Sequence, residues 1–133
     1  MKKIIFYVLG CLFMFPSLVK ADHIYHIDML IELGSDGSAY VLENWQIQAE
    51  SGSTWCKKIY DVNEDSISDF DAHMDEVPLE FKNNWDNDDS LDSNAGHYGI
   101  TYTDKGMELC FGKQDYERHH LTFSYLIKDY IFN

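Results

Sequence analysis

The chain has 133 residues, with 23 Asp and Glu against ten Lys and Arg and a formal net charge of −13 at pH 7. So acidic a surface repels phosphate backbones and anionic lipid, which argues against nucleic-acid binding and direct membrane-surface binding and favours cations or basic partners. The length suits one domain with a single modest core.

Residues Met1 to Ala21 read as a cleaved signal peptide. Lys2 and Lys3 form a basic start, Ile4 to Phe15 an apolar stretch, and Val19-Lys20-Ala21 a cleavage site. The apolar stretch is broken by Pro16 and is short for a membrane span. Removing Lys2, Lys3 and Lys20 with this leader takes the net charge from −13 to −16. The expected mature chain, Asp22 to Asn133, is an exported protein of the periplasm, the cell envelope or the medium. It holds no further apolar run of spanning length. Of three cysteines, Cys56 and Cys110 remain. Two cysteines in an exported domain point to one disulfide, with two buried thiols as the alternative.

The mature chain opens on two alternating runs around Gly34-Ser35-Asp36-Gly37. Tyr25, Ile27, Met29, Ile31 and Leu33 form one apolar set, and Ala39, Val41, Trp45 and Ile47 the next. A period of two places each set on one face of a sheet, and Asp36-Gly37 supplies a tight turn, so a β-hairpin is expected. Ala49 to Thr54 is a loop and Trp55 to Tyr60 a short strand. From Asp61 to Asp92 twelve acids face one base, Lys82, yet Phe70, Ala72 and Met74, then Leu79 and Phe81, alternate with charged residues. Two edge-like strands fit this pattern, with Pro78 at the turn between them. Asp86 to Gly96 has pure loop chemistry. Strands follow at Tyr98–Tyr102, Met107–Phe111 and Leu121–Ile127. Short strands joined by Gly and Asp turns predict an all-β fold, an antiparallel sandwich or open barrel of about seven or eight strands. The last strand, running on to Tyr130 and Phe132, is expected to present an open edge that recruits a protein partner or a second copy.

No residue pattern supports catalysis: nucleophilic Ser motifs, phosphate-binding Gly loops and Cys-x-x-Cys are lacking, so a non-enzymatic role is expected. Asp86, Asp88, Asp89 and Asp92 offer the hard oxygen ligands calcium requires. The EF-hand Gly and closing Glu are replaced by Leu91 and His97, so a solvated loop is the competing reading. No cofactor is expected, with calcium at this loop as the alternative. Trp55 and Trp85 flank loops and could present an exposed aromatic face to a glycan, whereas Trp45 belongs to the core. His119 and His120 invite a metal, but neighbours on a strand point to opposite faces. Glu43 shares parity with Val41 and Trp45 and so points inward. A buried carboxylate needs a partner, for which Lys57, Lys58 or Arg118 is available.

Three blocks, DGSAYVLENWQI at 36–47, Trp85 through AGHYGI at 95–100, and GMELCFGKQDYERHHLTFSY at 106–125, resemble a bacterial family of membrane proteins. That family is known only as a domain of unknown function of the YciQ type. The resemblance implies a signal peptide and an extracytoplasmic β-rich domain, which in relatives continues into further β structure and a membrane helix. It implies no activity. In relatives the position of Tyr98 is often Cys and that of Cys56 often Tyr, which implies that positions 56 and 98 lie close together. The function expected is an exported module for protein–protein or cell-envelope interactions, with ligand binding (glycan or calcium) as the alternative.

Overall fold

The computed structural model describes residues 21–132; the leader lies outside them except for Ala21. Nine strands follow in chain order: β1 (His23–Leu33), β2 (Ala39–Gln48), β3 (Thr54–Tyr60), β4 (Ile67–Met74), β5 (Val77–Pro78), β6 (Glu80–Phe81), β7 (His97–Thr103), β8 (Gly106–Gly112) and β9 (Arg118–Ile127). A one-turn helix, α1 (Leu91–Asn94), interrupts the acidic loop, and a 3-10 turn spans Tyr130–Phe132. The helix is capped by Ser90, whose side chain accepts from the Ser93 amide. One turn is too short to leave a helical period in the sequence.

Of the expected sandwich or open barrel of about seven or eight strands, the described residues form the sandwich, with nine strands because Val77–Pro78 and Glu80–Phe81 each add a two-residue strand. One sheet has the order β1-β2-β9-β4-β5 and the other β3-β8-β7-β6. All strand pairs are antiparallel except β6 with β7. The β1–β2 hairpin closes where expected: the Gly34 amide donates to the Ser38 carbonyl at 2.8 Å. Gly37 takes φ 86°, and the Asp36 carboxylate accepts from the Ser38 amide and hydroxyl. Between the sheets lies one core that includes Val41, Trp45, Ile47, Met107, Leu109, Phe111, Leu121, Phe123 and Tyr125. Strand β8 faces β9 through Phe111 and Phe123, whose rings are 4.7 Å apart, and β3 faces β2 through Lys57 and Glu43.

The last strand departs from expectation. Strand β9 does not offer an open edge: it pairs with β2 along its full length on one side and with β4 on the other. The chain then turns away, and the Ile131 amide donates to the Gly37 carbonyl at the hairpin loop. A C-terminal position says nothing about order within a sheet. Here the last strand enters between strands formed much earlier.

Cys56 and Cys110 are bridged, with a Cα–Cα distance of 4.1 Å. They are directly opposite on β3 and β8. On the other flank of β8, Cys110 is opposite Gly99, while Tyr98 shares a row with Phe111 and Trp55. Side chains alternate along a strand, so positions 56 and 98 sit two strands apart and on opposite faces. The closeness implied by the family resemblance is therefore one row out of register.

Candidate functional site: an uncovered corner of the sandwich

The two strands of the hairpin meet different fates. On β2, Ala39, Val41, Glu43, Trp45 and Ile47 are all buried beneath the second sheet. On β1 the matching residues are their direct neighbours: Leu33 is opposite Ala39, Ile31 opposite Val41, Met29 opposite Glu43 and Ile27 opposite Trp45. They therefore point the same way, toward where a second layer would be. Yet every residue of β1 is exposed, with Ile24 (opposite Ile47), Ile27, Met29, Ile31 and Leu33 between 43% and 59% accessible. The bulge between Ile24 and His26 turns Tyr25, expected on this face, to the outer one, where it meets Gln48 and Arg118. The cause is topological. The second sheet ends at β3, which lies over β2, so among the described residues no strand covers β1.

Strand β1 is an edge laterally as well. The Gly34–Ser38 hydrogen bond sets the ladder phase, so Asp28, Leu30 and Glu32 bond to β2. Ile27, Met29 and Ile31 then direct their N–H and C=O groups to the free side. Protective devices for an edge are few here: β1 has neither Lys nor Pro, and its bulge lies near the start, between Ile24 and His26. The start of β1 is firmly held. Asp22 accepts from the Lys113 ammonium at 2.6 Å and from the Glu50 amide at 2.8 Å, and Arg118 lies 3.9 Å over the Tyr25 ring. The corner is thus an ordered apolar surface bounded by two free strand edges, β1 and β3.

Beneath the corner sits the expected inward carboxylate. Glu43 is 1% exposed. It is paired with Lys57 of β3, the first of the three cations considered, and also accepts from Trp45 Nε1 at 3.2 Å and the Tyr125 hydroxyl at 3.1 Å. Burial and the adjacent Glu43 charge push the Tyr125 phenol far above its ordinary value. Of the two extra donors, Trp45 was legible only as a same-face neighbour of Glu43 and Tyr125 only as part of the apolar face of β9. With both of its oxygens hydrogen-bonded, the group ties β2, β3 and β9 together.

The remaining candidate residues are held within the fold. Lys113 places its ammonium 4.7 Å over the Trp55 ring. Trp85 covers Gly99 so closely that a Cβ there would meet its ring at 2.5 Å, and its Nε1 donates to Asn87. Gly99 lies in the row of Cys56 and Cys110, one residue out of phase with Trp55, so the two indoles serve opposite faces of that sheet. In the acidic loop, Lys82 is the bound cation: its ammonium donates to Asp89 at 2.7 Å, to Ser93 Oγ and Asn94 Oδ1 at 2.9 Å each, and lies 3.4 Å from the Ser93 carbonyl. Asp86 caps the Asp88 amide, while Asp88 and Asp92 are exposed. Among the described residues one group of three or more potential metal ligands converges within 4.8 Å, Cys56, Glu108 and Cys110, and both of its sulfurs are in the disulfide.

His119 makes a contact that sequence reasoning missed. Nδ1 meets Asp75 and Nε2 meets Asp115, each at 2.5 Å. Burial alone would lower the imidazole pKa, but the two carboxylates outweigh it and raise it. For Asp75, burial acts upward and is outweighed by the His120 amide and His119, so its pKa falls; Asp115 is lowered chiefly by its bond to His119. The ring is a clamp joining the β4–β5 turn to the start of β9, with both nitrogens engaged.

No family model matches the chain, and no curated protein matches it. Among the described residues no helix is long and apolar enough to cross a membrane.

Proposed function

We propose that this chain is an exported, non-enzymatic β-sandwich module that binds a protein partner through strand addition at the uncovered β1 corner. One observation carries the reading: five large apolar side chains on core parity are half exposed on an ordered edge strand. Monomeric soluble proteins rarely leave so large a contiguous patch open unless it meets a partner. The free N–H and C=O groups of Ile27, Met29 and Ile31 offer main-chain affinity, and the apolar face offers side-chain specificity. An extracytoplasmic setting accords with the basic-apolar leader in the sequence, with the disulfide, and with the YciQ-type domains that the chain resembles. Lys82 already neutralises Asp89 in the acidic loop and the Trp55 and Trp85 rings are engaged internally, which ranks calcium and glycan below a protein partner.

Photocross-linking in cells that export the chain tests this. A photoreactive residue at Ile31 should yield protein adducts, while one at Thr101, exposed on β7, should not. Equal yields from both positions, or none from Ile31, would remove the basis of the proposal.

A further inference from the structure

We infer that the occupant of the β1 corner is a second copy of this chain, placed by a two-fold axis so that β1 of each copy lies beside β3 of the other. This rests on the interaction reading above and names its partner.

The geometry is self-complementary. The first sheet overhangs the second by one strand at this corner, ending in β1, while the second sheet ends in β3. The position over β1, next to β3, is therefore one strand wide and unfilled by any of the described residues. When two copies meet across a two-fold axis between the layers, each β1 enters the other's vacant position. Each five-stranded sheet then continues into the partner's four-stranded sheet, and the two uncovered β1 faces stack on each other. One operation satisfies two free edges and one apolar face in each copy, as an isologous interface requires.

Charge supports the same pairing. Strand β1 carries Asp28 and Glu32 and no Lys or Arg; β3 carries Lys57 and Lys58 and no acid. Lys57 is inward, on Glu43, but Lys58 is 61% exposed, with Glu108 beside it at 3.6 Å. In the joined sheets the outer faces are continuous, so Lys58 of one copy falls on the side that carries Asp28 and Glu32 of the other. The chain has seven Lys and Arg from Asp22 onward against 23 acids, and two consecutive ones sit on the edge facing the acidic strand. Direct β1–β1 pairing would leave both apolar faces open and bring acidic strands together.

The area is sufficient. Half-exposed side chains of this size offer on the order of 100 Å² each, so five per copy bury on the order of 1,000 Å² in the pair before the strand edges are added, the threshold for a specific interface.

Sedimentation velocity of the purified exported chain over a concentration series provides the test, with tryptophan fluorescence as a fold control. The wild type should dimerise. Ile31→Lys should weaken dimerisation roughly a hundredfold by burying a charge in the stacked face, although it lowers net charge and so reduces repulsion. Lys58→Glu should weaken it roughly tenfold, and adding Asp28→Lys with Glu32→Lys to that variant should recover most of the loss. A wild type that stays monomeric overturns the inference, as does a dimer indifferent to Lys58→Glu or one that the reversed charges fail to restore. Adducts from Ile31 to a different protein by a monomeric chain would overturn the self-pairing while leaving the module reading intact. Absence of any protein adduct would remove both.

Discussion

Strands β1 and β2 belong to one hairpin, have similar lengths and carry the same alternation, yet their inward faces differ completely. On β2 even a carboxylate, Glu43, is 1% exposed, while on β1 the isoleucines Ile27 and Ile31 are 43% and 44% exposed. Composition does not decide this. Strand β2 is flanked by β9 and roofed by β3, and among the described residues β1 has neither a second neighbour nor a roof. Alternation specifies which way a side chain points; the topology decides whether anything is there. The two strands accordingly do different work: β2 is part of what holds the fold together, and β1 displays apolar surface on that scaffold.

Perturbing the roof should have the largest effect. Cys56–Cys110 ties β3 to β8 and closes a separation of 54 residues, so replacing both cysteines with Ala should cost about 4 kcal/mol in the chain-entropy account. Denaturant unfolding of the oxidised wild type and the double variant measures it. Next comes the ion pair beneath the roof. Lys57→Met leaves Glu43 buried without its cation and should cost about 3 kcal/mol. The value sits at the low end for a broken buried pair because Trp45 and Tyr125 still donate to the carboxylate.

The clamp at the start of β9 should contribute less and depend on pH. The folded pKa of His119 is raised, so its contribution is complete below the ordinary imidazole value of about 6.5 and is lost as pH rises through the raised value. Asp75 and Asp115 are lowered, so theirs is present above about pH 4 and lost as pH falls through the lowered values. The clamp is therefore strongest between about pH 4 and 6.5. With both carboxylates about half exposed, His119→Gln should cost less than about 1 kcal/mol. That cost should shrink as pH is raised above neutrality, which melting temperatures across pH would show.

How far the fold was legible follows from the range of each interaction. The hairpin, the strand alternation from Ile27 onward and the tight Asp36-Gly37 turn are local, and they stand in the sequence as they do in the structure; the bulge that moves Tyr25 off the inward face left no mark in it. The inward Glu43 and its need for a cation were legible from parity and charge; that the cation is Lys57 depends on β3 folding over β2. The position of β9 between β2 and β4 was not legible, because strand order is a long-range property, and the expected open edge therefore fell on the wrong strand. The His119 clamp joins residues 44 positions apart. The lysine that neutralises the acidic loop, Lys82, was visible as its one base, seven residues before Asp89. The His119 clamp leaves no spacing to read. The apolar face at the corner was visible as a pattern, but its exposure required knowing where the second sheet stops.

The central claim is that the apolar residues of β1 serve association rather than folding. Denaturant unfolding of Ile31→Lys, in protein dilute enough to be monomeric, tests it most directly against Leu121→Ala as the buried counterpart. Ile31→Lys should change stability by no more than about 0.5 kcal/mol, while truncating the fully buried Leu121 should cost about 2–5 kcal/mol. A loss from Ile31→Lys comparable to that from Leu121→Ala would show that β1 is part of the core after all and contradict the account.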